Sequence, residues 1–486
     1  MMRGAKVRLL AAVLLSFMPT MAWAAGPEPT LSGDWAGVLA PLPGHSLPLV
    51  LHVTGSAGQW AATLDSPSQG ALGLHAQAVT QQGRAVTIRL AVPQAAYDAT
   101  LSPDGQTLRG TWSQGAGALP LTMTRGRTPP DRAALRPQTP RPPFPYRSEE
   151  VAYDNDAGHA HLTGTLTLPA GAGPFPAVLL ITGSGLQDRD ETVFDHKPFL
   201  LWADVLTRRG IAVLRVDDRQ IGGSTGEVAR ATTADFAGDA AAGFAFLRSR
   251  ADIDPHRVGL MGHSEGANIA AMLAAHDPAV AFIVMLAGSG EPGEQLLLQQ
   301  KRRLELATGA PDARVDRLAA TMGALYDAVK TTRDQTEADA ALLKAWQTVS
   351  TAHGHPSDTV PPEIRVVSSP WFRWFLAYDP RTDLEKVRCP VLALGGSKDM
   401  QVEANTNLVA IKAALRNDHD AKVLELPGLN HLFQTAQTGL PSEYGTIRET
   451  IAPIALRTVE DWIVAHTIVP ATASAGAGPS APIRAR

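Results

Sequence analysis

Cysteine is nearly absent. Cys389 stands alone in 486 residues, so no intramolecular disulfide can form, and no zinc or iron–sulfur centre can be built on thiolates. It precedes Pro390 and an apolar run, the setting of a small buried hydrophobe. Neither sign of charge dominates. The 43 basic and 47 acidic residues give a formal net charge of -4, which offers no basic face to nucleic acid or to an anionic membrane. Long apolar runs are also missing. Leu9 to Met18 is too short to cross a bilayer comfortably, and no later segment has transmembrane length.

What is present begins with a leader pattern. Arg3, Lys6 and Arg8 precede the apolar stretch, and Ala22-Trp23-Ala24 is a small-x-small cleavage site. Residues 1–24 therefore read as a signal peptide, and the mature chain is expected in the periplasm or secreted, with no membrane attachment after cleavage. Residues 30–125 are β-rich. Runs such as Leu47–Thr54, Trp60–Leu64 and Ala85–Ala91 are separated by turn signals such as Pro103-Asp104-Gly105. Roughly eight strands of a small antiparallel barrel or sandwich are expected. Residues 126–148 are proline-rich and read as a stiff linker.

From 149 to 468 apolar strand-like runs alternate with helical stretches, the pattern of a mostly parallel, doubly wound sheet covered on both faces. The expected strands are Pro176–Ile181, Ile211–Val216, Val258–Met261, Ala281–Leu286, Val391–Leu394 and Lys422–Leu426. The expected helices lie near Pro198–Arg209, Thr233–Arg250, Ser264–His276, Val402–Leu415 and Thr446–His466. Between about 290 and 370 three helical stretches replace the alternation, which reads as a cap inserted over the active face. Residues 469–486 have the composition of a disordered tail.

Gly262-His263-Ser264-Glu265-Gly266 lies between the strand Val258–Met261 and a helix, as a strand–turn–helix elbow requires. The turn is sharp, so its flanks must be small, and a serine there is presented above the sheet. Serine needs a base, and in this fold the acid and then the histidine follow the serine in the chain. Asp399 ends Gly395-Gly396-Ser397-Lys398-Asp399 after one strand, and His431 lies in the loop after the next. The predicted set is Ser264 as nucleophile, His431 as general base and acid, and Asp399 as the carboxylate that orients it. Glu291 is the competing acid. Of the fourteen histidines, His263 adjoins the serine but is expected to point away.

The N–H of Glu265 is one expected oxyanion donor, and that of Ser184 or Gly185, in the loop Thr182-Gly183-Ser184-Gly185-Leu186, is the other. That loop has no Gly-Lys-Ser/Thr ending and does not open a helix as Gly-x-Gly-x-x-Gly, so it does not read as a phosphate cradle. Asp188-Arg189-Asp190-Glu191 reads as an ion-paired loop rather than a calcium or other metal site. Asp217 and Asp218 read as structural. No metal and no cofactor are expected.

These residues resemble the α/β-hydrolase superfamily. More narrowly, they are similar to bacterial exported carboxylesterases of the EstD type, in the branch that is serine aminopeptidase-like and dienelactone-hydrolase-like. The matching runs include Gln187–Glu191, His196-Lys197-Pro198-Phe199, Leu214–Arg219, Ser369-Pro370-Trp371-Phe372 and Asn430-His431-Leu432-Phe433. Gln220 departs from the family, where that position is usually glycine. The resemblance implies a serine hydrolase that cleaves small carboxylic esters with short acyl groups. Two alternatives stay open: an aminopeptidase or amidase with the same triad, and a polysaccharide deacetylating esterase whose β domain contacts glycan through Trp35, Trp60, Tyr97 and Trp112. Those aromatics fit a core better. Trp371–Phe375 is expected to pack the cap rather than line an acyl pocket.

Overall fold

The computed structural model describes residues 30–42, 45–56, 58–66, 71–90, 95–114, 117–126 and 136–467. The signal-peptide and tail readings lie outside these residues, as does the linker between 127 and 135. The described residues group into two compact units, parted at Thr128 and Pro129.

The first unit is a closed eight-stranded barrel, which settles the choice between barrel and sandwich. Its strands follow in order: β1 (Gly33–Leu42), β2 (His45–Ser56), β3 (Gln59–Ser66), β4 (Ala71–Gln82), β5 (Ala85–Leu90), β6 (Ala95–Leu101), β7 (Thr107–Gln114) and β8 (Gly117–Arg125). β1 closes on β8 through Trp35–Arg125 and Gly37–Met123. β4 and β7 have no apolar run of their own, because one side of each faces out and is polar. Trp35, Tyr97 and Trp112 fill the interior with Leu51, Leu108 and Leu121. Their polar tips are satisfied there: Trp35 Nε1 donates to Leu31 O at 3.0 Å and Tyr97 Oη to Leu108 O at 3.0 Å.

The second unit is a mixed eight-stranded sheet in the order β16-β15-β14-β13-β11-β12-β10-β9. β9 (Arg147–Asn155) and β10 (Ala160–Leu168) form an antiparallel hairpin at one edge. The sequence reading missed it, because β9 is an edge strand rich in charge. The remaining strands are β11 (Phe175–Ile181), β12 (Ala212–Val216), β13 (Ile253–His263), β14 (Ile283–Leu286), β15 (Val391–Gly396) and β16 (Ala421–Leu426). All six are mutually parallel along the order.

Helices α1 (Pro198–Arg208), α2 (Thr233–Ser249) and α3 (Glu265–His276) connect these strands. Between β14 and β15 lies the insertion: α4 (Gly293–Ala307), α5 (Asp312–Val329), α6 (Gln335–Ala352), the short α7 (Pro362–Arg365), α8 (Pro370–Ala377) and the short α9 (Arg381–Leu384). It has a small core of its own, with Leu325, Val329, Leu342 and Leu376. α10 (Ala404–Ala414) and α11 (Pro453–Thr467) complete the chain. α11 begins later than Thr446: Thr450 and Ile451 are instead pinned in a loop, where Ile451 packs in the core.

Continuous apolar strands follow from burial on both faces. Leu179, Leu260 and Ala393 pack with α2, α3 and α10 on one side, while Val178, Met261 and Leu392 pack with α1 and α11 on the other. Cys389 packs half-buried against the first of these cores, and burial pushes its thiol up to about 12. Within the proline-rich span, Arg136 donates to Phe194 O at 2.7 Å and Gln138 to Ile451 O at 2.8 Å, so the span from Arg136 is tied to the sheet unit.

Candidate active site

The elbow forms where β13 passes into α3. Ser264 has φ +53 and ψ -115, a conformation that costs a non-glycine residue on the order of 1–3 kcal/mol and is held only by its surroundings. Its N–H donates to Leu286 O at 2.8 Å. A Cβ on Gly262 would stand 2.0 Å from Gly266 O, and one on Gly266 would stand 2.2 Å from Ile181 O. Both glycines are therefore required by backbone contact.

Asp399 follows β15, and its carboxylate is fully buried. It accepts hydrogen bonds from Gln401 N and Val402 N at 2.8 Å each, and lies 2.7 Å from His431 Nδ1. His431 follows β16 and is buried. Asp399 leaves His431 Nε2 as the free nitrogen, and His431 and Ser264 line one cavity of about 360 Å³. Among the described residues, no hydrogen bond joins Ser264 Oγ to His431 Nε2. Glu291 does not compete: its N–H is held by Asn407 Oδ1 at 3.2 Å, while Asp399 takes the histidine.

Ser184 lines the same cavity, whereas Gly185 lines a smaller neighbouring one of about 60 Å³ behind the loop. Gly183 N–H is already taken, by Glu191 Oε1 at 2.9 Å. The Glu265 N–H is the first of α3 and has no acceptor within the helix. The Glu265 side chain is buried, and Oε1 accepts from Thr233 Oγ1 at 2.6 Å and from Trp371 Nε1 at 2.8 Å.

Three of the four residues Asp188–Glu191 are ion-paired, while Asp188 accepts from Thr192 N at 2.8 Å and Thr192 Oγ1 at 2.6 Å. Arg189 bonds Asp217 at 2.7 Å, Asp190 pairs with Arg215 and with Lys197 at 3.0 Å, and Glu191 pairs with His263 at 2.9 Å. Asp217 thus holds Arg189. Asp218 holds the loop after β11, accepting from Thr182 Oγ1 at 2.9 Å and from Gln187 N at 2.8 Å. Burial pushes its carboxyl up to about 8. Gln220 has φ +65, which explains why glycine is the usual occupant.

Two expectations change. His263 does not point away. Its ring lies against that of His431, with centroids 4.8 Å apart, and its Nε2 is 3.0 Å from His431 O. The aromatic run divides its work by helical spacing: Trp371 and Phe375, four apart on α8, line the cavity, while Phe372 and Leu376 pack into the cap core. That i,i+4 signal was present in the sequence. Sequence reasoning also missed Arg303 of α4, which donates from Nη1 to Asp399 O at 2.8 Å.

The parallel sheet, the elbow at its carboxyl edge and the Asp399–His431 pair at the ends of β15 and β16 define an α/β-hydrolase. The sequence profile of the X-Pro dipeptidyl-peptidases of the S15 family matches residues 158–428, and the chain belongs to that family. Esterase EstD of Thermotoga maritima is 27% identical over 302 residues, 62% of this chain; the chain spans only 65% of that relative's length. Among solved structures, an esterase of Pyrococcus furiosus is 12% identical, covering 67% of this chain and 92% of its own with a TM-score of 0.42. An α/β hydrolase of a Penicillium species is 16% identical, covering 66% and 99%, also with a TM-score of 0.42.

Proposed function

We propose that the chain is a serine carboxylesterase for small, uncharged esters with short acyl groups. Ser264 Oγ attacks the ester carbonyl while His431 Nε2 takes its proton. The tetrahedral oxyanion is held by the N–H groups of Glu265 and of Ser184 or Gly185. As the carbonyl re-forms, the alcohol leaves with the proton from His431, and the acyl group stays on Ser264. Water then attacks, giving its proton to His431; as the carbonyl re-forms, His431 returns that proton to Ser264 Oγ and the acid departs. Asp399 fixes the imidazole with Nδ1 protonated and stabilises the imidazolium.

The observation that carries this reading is His431, held 2.7 Å from buried Asp399, lining one cavity with an elbow serine. The walls of that cavity, Phe194, Trp371, Phe375 and Tyr444 among them, suit an uncharged substrate, and its volume of about 360 Å³ suits a small one. A series of p-nitrophenyl esters tests it: turnover is expected to be highest for short chains and lost in Ser264→Ala. Absence of turnover above the Ser264→Ala level for any ester would overturn the reading.

The S15 match favours a second reading, release of X-Pro dipeptides from peptide N-termini by the same residues. That reaction needs a carboxylate for the free amine. Glu191, the carboxylate among the residues lining the cavity, is engaged by Gly183 and His263, and Glu265 by Thr233 and Trp371. X-Pro p-nitroanilides separate the two activities. The basic start, apolar run and Ala22-Trp23-Ala24 support export with cleavage after Ala24. N-terminal sequencing of the mature chain checks this.

A further inference from the structure

A second buried ion pair lies behind the Asp399–His431 pair, and the reaction above makes no use of it. His263 and Glu191 are both buried. His263 Nδ1 lies 2.9 Å from Glu191 Oε1, and Nε2 lies 3.0 Å from the carbonyl oxygen of His431. A carboxylate and a carbonyl only accept. A neutral imidazole carries one N–H and could satisfy one of them, so satisfying both requires the doubly protonated ring. Burial, the largest single influence, opposes that charge, but the Glu191 carboxylate, the His431 carbonyl and Asp399 together outweigh it and hold the His263 pKa above its ordinary value.

Glu191 has a second role. The same Oε1 accepts the Gly183 N–H at 2.9 Å. Gly183 opens the loop that carries Ser184 and Gly185, and a Cβ built on it would stand 3.4 Å from Ser264 Cβ. Glu191 itself sits at φ +52, a conformation that a bulky side chain keeps only when its surroundings demand it.

We propose that Glu191 and His263 are positioning residues: one carboxylate and one imidazolium tie the oxyanion loop to the backbone of the general base, so that the two halves of the reaction centre are held in register. The proposal rests on the reading of Ser264 and His431 as the hydrolytic pair. The titratable groups around the two rings are Glu191 itself, Tyr444 near Asp399, and Arg303 at the Asp399 carbonyl.

The test uses the full chain and compares His263→Gln, Glu191→Gln and Glu191→Ala in p-nitrophenyl ester kinetics across pH. His263→Gln is expected to lower kcat by about 10–100-fold, the size seen when groups that orient a metal-bound histidine are removed, with KM within about twofold. Glu191→Gln, which keeps an acceptor for Gly183, is expected to retain more kcat than Glu191→Ala. Folded variants with wild-type kcat, or a Glu191→Gln no more active than Glu191→Ala, would overturn the proposal. Selective ¹⁵N-histidine NMR of the wild-type chain gives a second readout should the variants fail to fold. A His263 still doubly protonated where exposed histidines are already neutral is expected, and a ring that loses its proton along with them would overturn the proposal. A wild-type chain that hydrolyses no ester would instead defeat the functional reading, and would leave the NMR result standing.

Discussion

The loops at the carboxyl edge of the sheet and the helices of the cap meet at one cavity, but they are built differently. At the sheet edge each polar group of the Asp399–His431 pair has a fixed partner save the one nitrogen kept for chemistry, and the carboxylate accepts three hydrogen bonds. The cap presents half-buried side chains, Trp371 and Phe375, backed by a core of its own. Its hydrogen bonds to the sheet edge include the two noted above, from Trp371 to Glu265 and from Arg303 to Asp399 O, and a third from Gln300 to Gln401 at 3.4 Å. On the proposed reading, the bond-making steps fall to the sheet loops and the choice of substrate to the cap. That reading also predicts that substitutions on the two sides will change different kinetic constants.

The largest effects belong to the sheet edge. Ser264→Ala is expected to cut kcat on the order of 10⁶-fold, and Asp399→Asn about 10⁴-fold through the wrong tautomer of His431. KM should change little in either, and steady-state kinetics read both. A cap change should act the other way. Trp371→Ala is expected to raise KM about tenfold, roughly 1.4 kcal/mol of binding, with kcat within a few fold and a shift toward longer acyl chains. If kcat collapsed instead, the Trp371–Glu265 contact would be part of the reaction centre and the division would fail.

Arg303→Ala sharpens the boundary, because this cap residue touches the Asp399 loop. A fall in kcat of about threefold to tenfold is expected, about the net worth of one typical hydrogen bond, with chain-length preference unchanged. The smallest effect on rate is expected at Asp218, whose consequence is for stability. Its pKa is raised from 3.8 to about 8 in the fold by burial, so the folded chain keeps a proton that the unfolded chain releases. The stability this contributes is whole below about pH 4 and is lost as pH rises through about 8. Melting temperature should therefore fall between pH 5 and pH 8 more in the wild type than in Asp218→Asn. Equal slopes would show that the side chain does not hold its proton there.

The same contrast explains what could be read from the sequence. The elbow was legible because its turn admits only small neighbours at 262 and 266, a constraint that the two glycines record directly. Asp399 and His431 were legible because continuous apolar strands mark where the carboxyl edge must lie. Signals spread across the chain were lost. The partners of His263 stand 72 and 168 residues away, and nothing local to Gly262-His263-Ser264 points to either. The hairpin β9–β10 was missed because a charged edge strand lacks the apolar run of a central one. In the barrel, β4 and β7 were missed because their outward faces are polar. The division of labour along α8 follows from helical spacing alone, but which face meets the cavity depends on the packing of the cap.

The central claim is that Ser264 is the nucleophile. Reaction of the chain with a fluorophosphonate probe, followed by peptide mapping, tests it directly. The account predicts one modified residue, Ser264, with labelling slowed strongly in His431→Ala. Modification at any other residue, or labelling that survives in Ser264→Ala, would contradict it.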